Sequence, residues 1–107
     1  IADGVVIING GTFKAGVDSA GEANAVVYVR GNGEAYINGG VFPNENNSAF
    51  VLNKKDADRA TTKIEVRGGE FTAFNPANNA AEGAGTNFVA EGYNVEQSGD
   101  VYTVVAQ

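Results

Sequence analysis

The chain has 107 residues, enough for one domain with a single core and too few for two. Thirteen acidic against seven basic residues give a net charge of −6, the wrong sign for holding nucleic acid or an anionic membrane through a general field. With no cysteine and no histidine there is no disulfide, no thiolate metal site, no Cys nucleophile and no imidazole base or ligand, and no cofactor is expected.

No apolar run approaches the roughly 18 residues of a spanning helix, and no basic-then-apolar leader opens the sequence. The chain contains no methionine and starts at Ile1, as expected of a fragment, a processed product or the ordered part of something longer. Fifteen glycines and 13 asparagines accompany abundant Val, Phe and Tyr, and no stretch sustains a 3.6-residue apolar period between caps. An all-β fold with almost no helix is expected.

The first element, Val6-Ile7-Ile8-Asn9-Gly10-Gly11-Thr12-Phe13, sets a phrase that recurs twice. Its later copies are Ala35-Tyr36-Ile37-Asn38-Gly39-Gly40-Val41-Phe42 and Ile64-Glu65-Val66-Arg67-Gly68-Gly69-Glu70-Phe71. The steps 39 − 10 and 68 − 39 both equal 29, so the phrase is a true period. A fixed period of this size marks a solenoid, whose repeats bury their apolar faces by stacking on one another. Alternation at Val6/Ile8, Ala35/Ile37 and Ile64/Val66 is the signal of a strand, with Ile7, Tyr36 and Glu65 on its other face. The pairs Gly10-Gly11, Gly39-Gly40 and Gly68-Gly69 read as corners, where a residue without Cβ turns sharply. Phe13, Phe42 and Phe71 then re-enter as a core ladder, on strands spaced roughly 4.8 Å apart.

The first copy has no apolar strand before it, so this end should expose unpaired backbone, covered by more chain or another molecule. Lys14 to Asn24 reads as a surface loop. A second strand type follows at Ala25–Val29 and recurs at Ala49–Asn53 and Asn87–Glu91, with spacings of 24 and 38 residues. Its columns Val26/Phe50/Phe88 and Tyr28/Leu52/Ala90 read as inward. The column Val27/Val51/Val89 is apolar too, and reads as an outer face covered by a loop or a partner. Pro43–Ser48 is a polar turn whose oxygens could hold Ca²⁺, although its spacing matches neither an EF-hand loop nor the Gly-Gly-x-Gly-x-Asp repeat of calcium-binding β-rolls. Lys54–Thr62 reads as a solvated excursion of mixed sign. Phe74 is placed to anchor the Ala/Asn/Gly-rich loop that runs to Gly85. The last segment, Tyr93–Gln97 and Val101–Val105 around Ser98-Gly99-Asp100, reads as a hairpin or degenerate coil that caps the stack.

Catalytic chemistry finds little support. In the 29-residue register Glu34 falls before Lys63, Glu65 after Tyr36 and Glu70 after Val41, so no two carboxylates stack as a glycosidase pair. Ser48, Ser98 and the threonines have no histidine to activate them. The column Thr12, Val41, Glu70 is no ice-binding ladder, and no phosphate loop is present.

The phrase, with Phe74-Asn75-Pro76-Ala77-Asn78, Thr86-Asn87-Phe88-Val89-Ala90 and Gly92-Tyr93-Asn94-Val95 … Val101-Tyr102-Thr103-Val104-Val105, resembles the right-handed parallel β-helix segments of bacteriophage virion fibres and bacterial surface adhesins. The resemblance covers nearly the whole chain. It implies a single domain over 1–107, with about three coils and their loops in 1–91 and capping strands in 92–107. It further implies a trimeric or laterally packed rod on a virion or cell surface, without a cofactor. The expectation is a non-catalytic structural or receptor-facing domain of a phage fibre. Two alternatives are a carbohydrate-binding adhesin module and a fragment of a polysaccharide-degrading β-helix enzyme. Stable oligomers favour the first, glycan binding by a monomer the second, and bond cleavage the third. The expected partners are further copies of the chain, a trimer favoured, and a cell-surface glycan or another virion protein. Val27, Val51, Val89, Ile7 and Tyr36 are the candidate interface.

Overall fold

The computed structural model describes residues 3–16 and 25–107. Most of the loop expected over 14–24 lies outside the described residues. Within them the chain is all-β, with a single 3-10 turn at Asp56–Asp58 and no α-helix.

The 29-residue period appears as strand pairing. Strands β1 (Val5–Ile8), β3 (Glu34–Ile37) and β6 (Lys63–Val66) form one parallel sheet. Its registers, Ile8↔Ile37 and Ile37↔Val66, place equivalent phrase positions side by side. The end of the phrase repeats the pattern, since β4 (Val41–Phe42) pairs in parallel with β7 (Glu70–Thr72) and Thr12 bridges Val41. A separate parallel pair joins β2 (Val27–Val29) to β5 (Leu52–Lys54).

The inward column of the first sheet is sealed where it has neighbours on both sides. Ala35, Ile37 and Val66 are inaccessible and Ile64 nearly so, whereas Val6 and Ile8 of the edge strand stay half-buried. The rings follow the same gradient. Phe42 and Phe71 are fully buried and Phe13 only partly. Phe42 lies 5.5 Å from Phe13 and 4.6 Å from Phe71, with interplanar angles of 22° and 2°. Phe74 is buried against this stack, 6.2 Å from Phe71, and so ties down the loop that follows it.

The two glycines of each corner have different reasons to be glycine. Gly11, Gly40 and Gly69 have φ of 101°, 107° and 100°, which side chains rarely adopt. Gly39 and Gly68 lack that conformation and are crowded instead: a Cβ would lie 2.6 Å from the Asn9 carbonyl oxygen and 2.3 Å from that of Asn38. Asn38 also donates a side-chain hydrogen bond of 3.0 Å to Asn9, one period away. The period runs on past the rings, because Asn44 and Ala73, at 73 − 44 = 29, both take positive φ, 49° and 54°.

The second strand family departs from its expected register. Val27 pairs with Leu52, an offset of 52 − 27 = 25 where 24 is expected. The Val51 carbonyl accepts from the amides of both Val26 and Val27, each at 3.0 Å, so two residues of one strand face one of the other. Such a bulge slips the register by one residue and exchanges the faces. Val27 and Val29 therefore point inward, and Phe50, expected inside, is 43% exposed. The expected third member does not join this pair, since Val89 bridges Val66 beside β6.

The tail forms the hairpin. Strands β8 (Tyr93–Ser98) and β9 (Val101–Ala106) pair antiparallel through a two-residue turn, and β9 pairs antiparallel with β7. The excursion over Lys54–Thr62 is tied to the body as well as solvated. The Asp58 carboxylate accepts from the Gly31 amide at 2.7 Å, and Thr61 donates to the Gly31 carbonyl at 2.5 Å.

Candidate functional site

The glycine corners and the ring stack serve the fold. The five interface candidates separate. Val51 is fully buried and Val27 is 8% exposed, both covered by the chain itself, which corrects the reading of them as an outer column; the bulge at Val51 is the cause. Val89 is half-buried in its bridge to Val66. Ile7, 60% exposed, and half-buried Tyr36 remain on one outer face, side by side in the β1–β3 register.

That face turns from apolar to charged as it crosses the sheet. Val5 and Ile7 on β1 are exposed, and Glu34 and Tyr36 follow on β3, then Lys63 and Glu65 on β6. The Tyr36 hydroxyl donates to the Glu34 carboxylate. Lys63 Nζ and the Arg67 guanidinium sit 5.8 and 5.4 Å from the Tyr36 ring centre, and Glu65 pairs with both cations, at 3.3 and 2.5 Å. The hydrogen bond to Glu34 raises the Tyr36 pKa above its ordinary value; burial and the charges of Glu34 and Glu65 add to this, and Lys63 opposes it. Each of these groups already has a partner within the sheet. The cluster therefore braces the strands and presents little free charge to a ligand.

A concave site lies at the other end, where the chain leaves the repeat. Ala90 and Gly92, the latter at φ 88°, swing the backbone from the Val89 bridge into β8. The bend encloses a cleft of about 360 Å³ lined by Asn87, Val89, Glu91, Tyr93, Asn94 and Gln107, among others. Gln107 is held there by its amide, which donates to the Gly92 carbonyl at 3.0 Å, and by its side chain, which donates to Asn94 Oδ1 at 3.0 Å. The Asn87 oxygen accepts from the Val89 amide at 2.9 Å. Side-chain amides beside an aromatic ring and one carboxylate suit a polyhydroxylated ligand, because amides both donate and accept. Acid–base cleavage of a glycosidic bond uses two carboxyl groups roughly 5 to 9 Å apart, and Glu91 supplies the one acidic side chain among these lining residues.

The sequence reading missed this cleft, since its residues come from unlike segments that the bend at Gly92 brings together. A glycine at position 92, just ahead of the alternating run that starts at Tyr93, was the one available signal, and its φ of 88° makes the bend. In the polar turn after Phe42, the Asn44 side chain is engaged internally. Its oxygen accepts from the Ser48 amide at 2.8 Å, and its nitrogen donates to the Ser48 carbonyl at 3.1 Å. Among the described residues no three acidic side chains gather as a metal site, and no helix is long and apolar enough to cross a membrane. Comparison of the chain with family models, with curated proteins and with solved structures finds no match.

Proposed function

We propose that the chain is a short right-handed parallel β-helix of about three coils, closed by its terminal hairpin. We further propose that it serves as a non-catalytic structural or receptor-facing domain on a virion or cell surface, of the kind found in phage fibres. One observation carries this reading: equivalent residues lie beside one another, Asn9 on Asn38 and Phe13 on Phe42 on Phe71. Such like-on-like stacking along parallel ladders is what coils of a solenoid produce. The right hand follows from the strong bias of parallel crossover connections. A rod of this kind works by being stiff and by presenting its flanks, and it needs no cofactor. Lateral packing into a trimer would use Ile7 and Tyr36, since Val27 and Val51 lie in the core. Sedimentation at micromolar concentration tests the assembly. A trimer weakened by Ile7→Asp supports it, and a strict monomer of 11.0 kDa refutes it.

The cleft favours a second reading, a carbohydrate-binding adhesin module. Titration of surface polysaccharide fragments into labelled protein tests it. Shifts confined to the resonances of Tyr93, Asn94 and Gln107 support the reading, and their absence at millimolar ligand refutes it. Release of shortened sugars would revive the third reading, a polysaccharide-degrading enzyme.

A further inference from the structure

Gly10 has no reason within the described residues to be a glycine. The equivalent Gly39 and Gly68 are required because a Cβ would strike the Asn9 or Asn38 carbonyl oxygen, at 2.6 and 2.3 Å, whereas a Cβ on Gly10 meets nothing within 4 Å. Nor does Gly10 have the positive φ of its neighbour Gly11. At the same position of the two later passes the missing Cβ makes room for the backbone of the preceding pass, and Gly10 leaves the same room open.

Two further observations converge on the same edge. Val6 and Ile8 are half-buried where their counterparts Ala35, Ile37 and Val66 are inaccessible, and Phe13 is only partly covered where Phe42 and Phe71 are sealed. Strand β1 is the outer member of its sheet, with no partner on its far side among the described residues.

We infer that the free edge of β1 docks one further pass of the same repeat. The docked strand reads apolar–x–apolar–Asn–Gly–Gly–x–aromatic and lies parallel to β1 in the register that β1 keeps with β3. Its residue before Gly-Gly sets a carbonyl over Gly10, its apolar pair covers Val6 and Ile8, and its aromatic ring stacks on Phe13. A second folded copy does not fit this description. Its β3 is already paired on both sides, and its own free β1 would meet this one about a two-fold axis, antiparallel, which does not repeat the carbonyl-on-glycine contact.

The inference rests on the stacked-coil reading above, and one set of variants separates the two. The probe is a tandem chain in which residues 5–33 are duplicated ahead of Val5, so that Gly33 leads into Val5 as it leads into Glu34. The tandem chain should melt several degrees above the natural chain. Gly10→Ala should leave the natural chain's Tm unchanged and lower that of the tandem chain, as Gly39→Ala does in both. If Gly39→Ala is silent in the natural chain, the stacked-coil reading itself fails. If Gly39→Ala destabilises but the tandem chain gains nothing, unfolds without cooperativity or tolerates Gly10→Ala, only the docking inference fails. A natural chain that dimerises at micromolar concentration, with the dimer lost on tandem extension, assigns the edge to a second copy and also overturns it.

Discussion

Replacing Phe42 with alanine removes the middle ring of a three-ring stack, and its expected cost differs from that of either neighbour in a way that tests the packing. Phe42 is inaccessible, with Phe13 on one side at 5.5 Å and Phe71 on the other at 4.6 Å and nearly parallel. Truncating a buried Phe costs about 3 to 5 kcal/mol, part of it for the cavity left behind. Here two ring contacts are lost together, each worth about 0.5 to 1.5 kcal/mol beyond area burial, which places Phe42→Ala near the top of that range. Phe13 is partly exposed and has one ring neighbour, so Phe13→Ala should cost about half as much. A domain has only about 5 to 15 kcal/mol in total, so the Phe42 variant should be close to unfolding. Urea titration followed by circular dichroism measures the difference. With m of about 1 to 3 kcal/mol/M, the Phe42→Ala midpoint should fall by more than 1 M. Equal and small shifts for the two variants would refute the stack as the centre of the core.

Gly40→Val should destabilise by more than ~1 kcal/mol, since φ is 107° and a Cβ there meets the Gly11 carbonyl at 3.3 Å. Gly83 shares the conformation, φ 109°, with nothing within 4 Å, so Gly83→Val should cost less; equal thermal shifts would show that close approach of the passes plays no part. Ala73 holds positive φ at an exposed position, and Ala73→Gly should stabilise by about 0.5 to 1 kcal/mol, the relief of the left-handed strain exceeding the extra freedom of the unfolded chain; a lower Tm would contradict it. Tyr36 has its pKa raised in the fold, so its contribution to stability is present below the unfolded value of about 10 and is lost as pH rises through the folded value. Glu34→Gln should bring its tyrosinate absorbance titration back toward the ordinary value, and an unchanged titration would show that the Glu34 bond is not the cause.

Pairing in two of the ladders was legible because the period is a property of backbone contact. A strand that stacks on its predecessor needs the same turn and the same inward residue at each pass, and the phrase supplies both from Val6 to Phe71. The β2–β5 pair was not legible, because loops of unequal length precede its strands and a single shared carbonyl at Val51 decides the faces. Alternation alone cannot choose between two faces when Val26, Val27, Tyr28 and Val29 are all apolar or aromatic. The excursion after Lys54 hid its attachment for a related reason. One carboxylate among several, that of Asp58, reaches the Gly31 amide, and charge pattern gives no hint of which.

The outer edges of the three-stranded and the four-stranded sheets differ in their chemistry, at β1 and at β8. Strand β9 meets β7 in the antiparallel sense, so the last parallel strand of that sheet is covered by one that cannot repeat its contacts, and the edge passes outward to β8. That strand is largely exposed and polar, with Glu96 and Gln97 in its second half, and Asp100 sits in the adjoining turn. Charge on an edge strand opposes the docking of another strand. Strand β1, Val5-Val6-Ile7-Ile8, has no charge and no proline, and it is β-branched throughout. An edge meant to face water is blunted, as β8 is; an edge left so apolar, close to a glycine that nothing among the described residues requires, is suited to receive a strand. On the stacked-coil reading proposed above, the polarity of the hairpin and the lack of it on β1 belong together, as the closed and the receptive end of one stack.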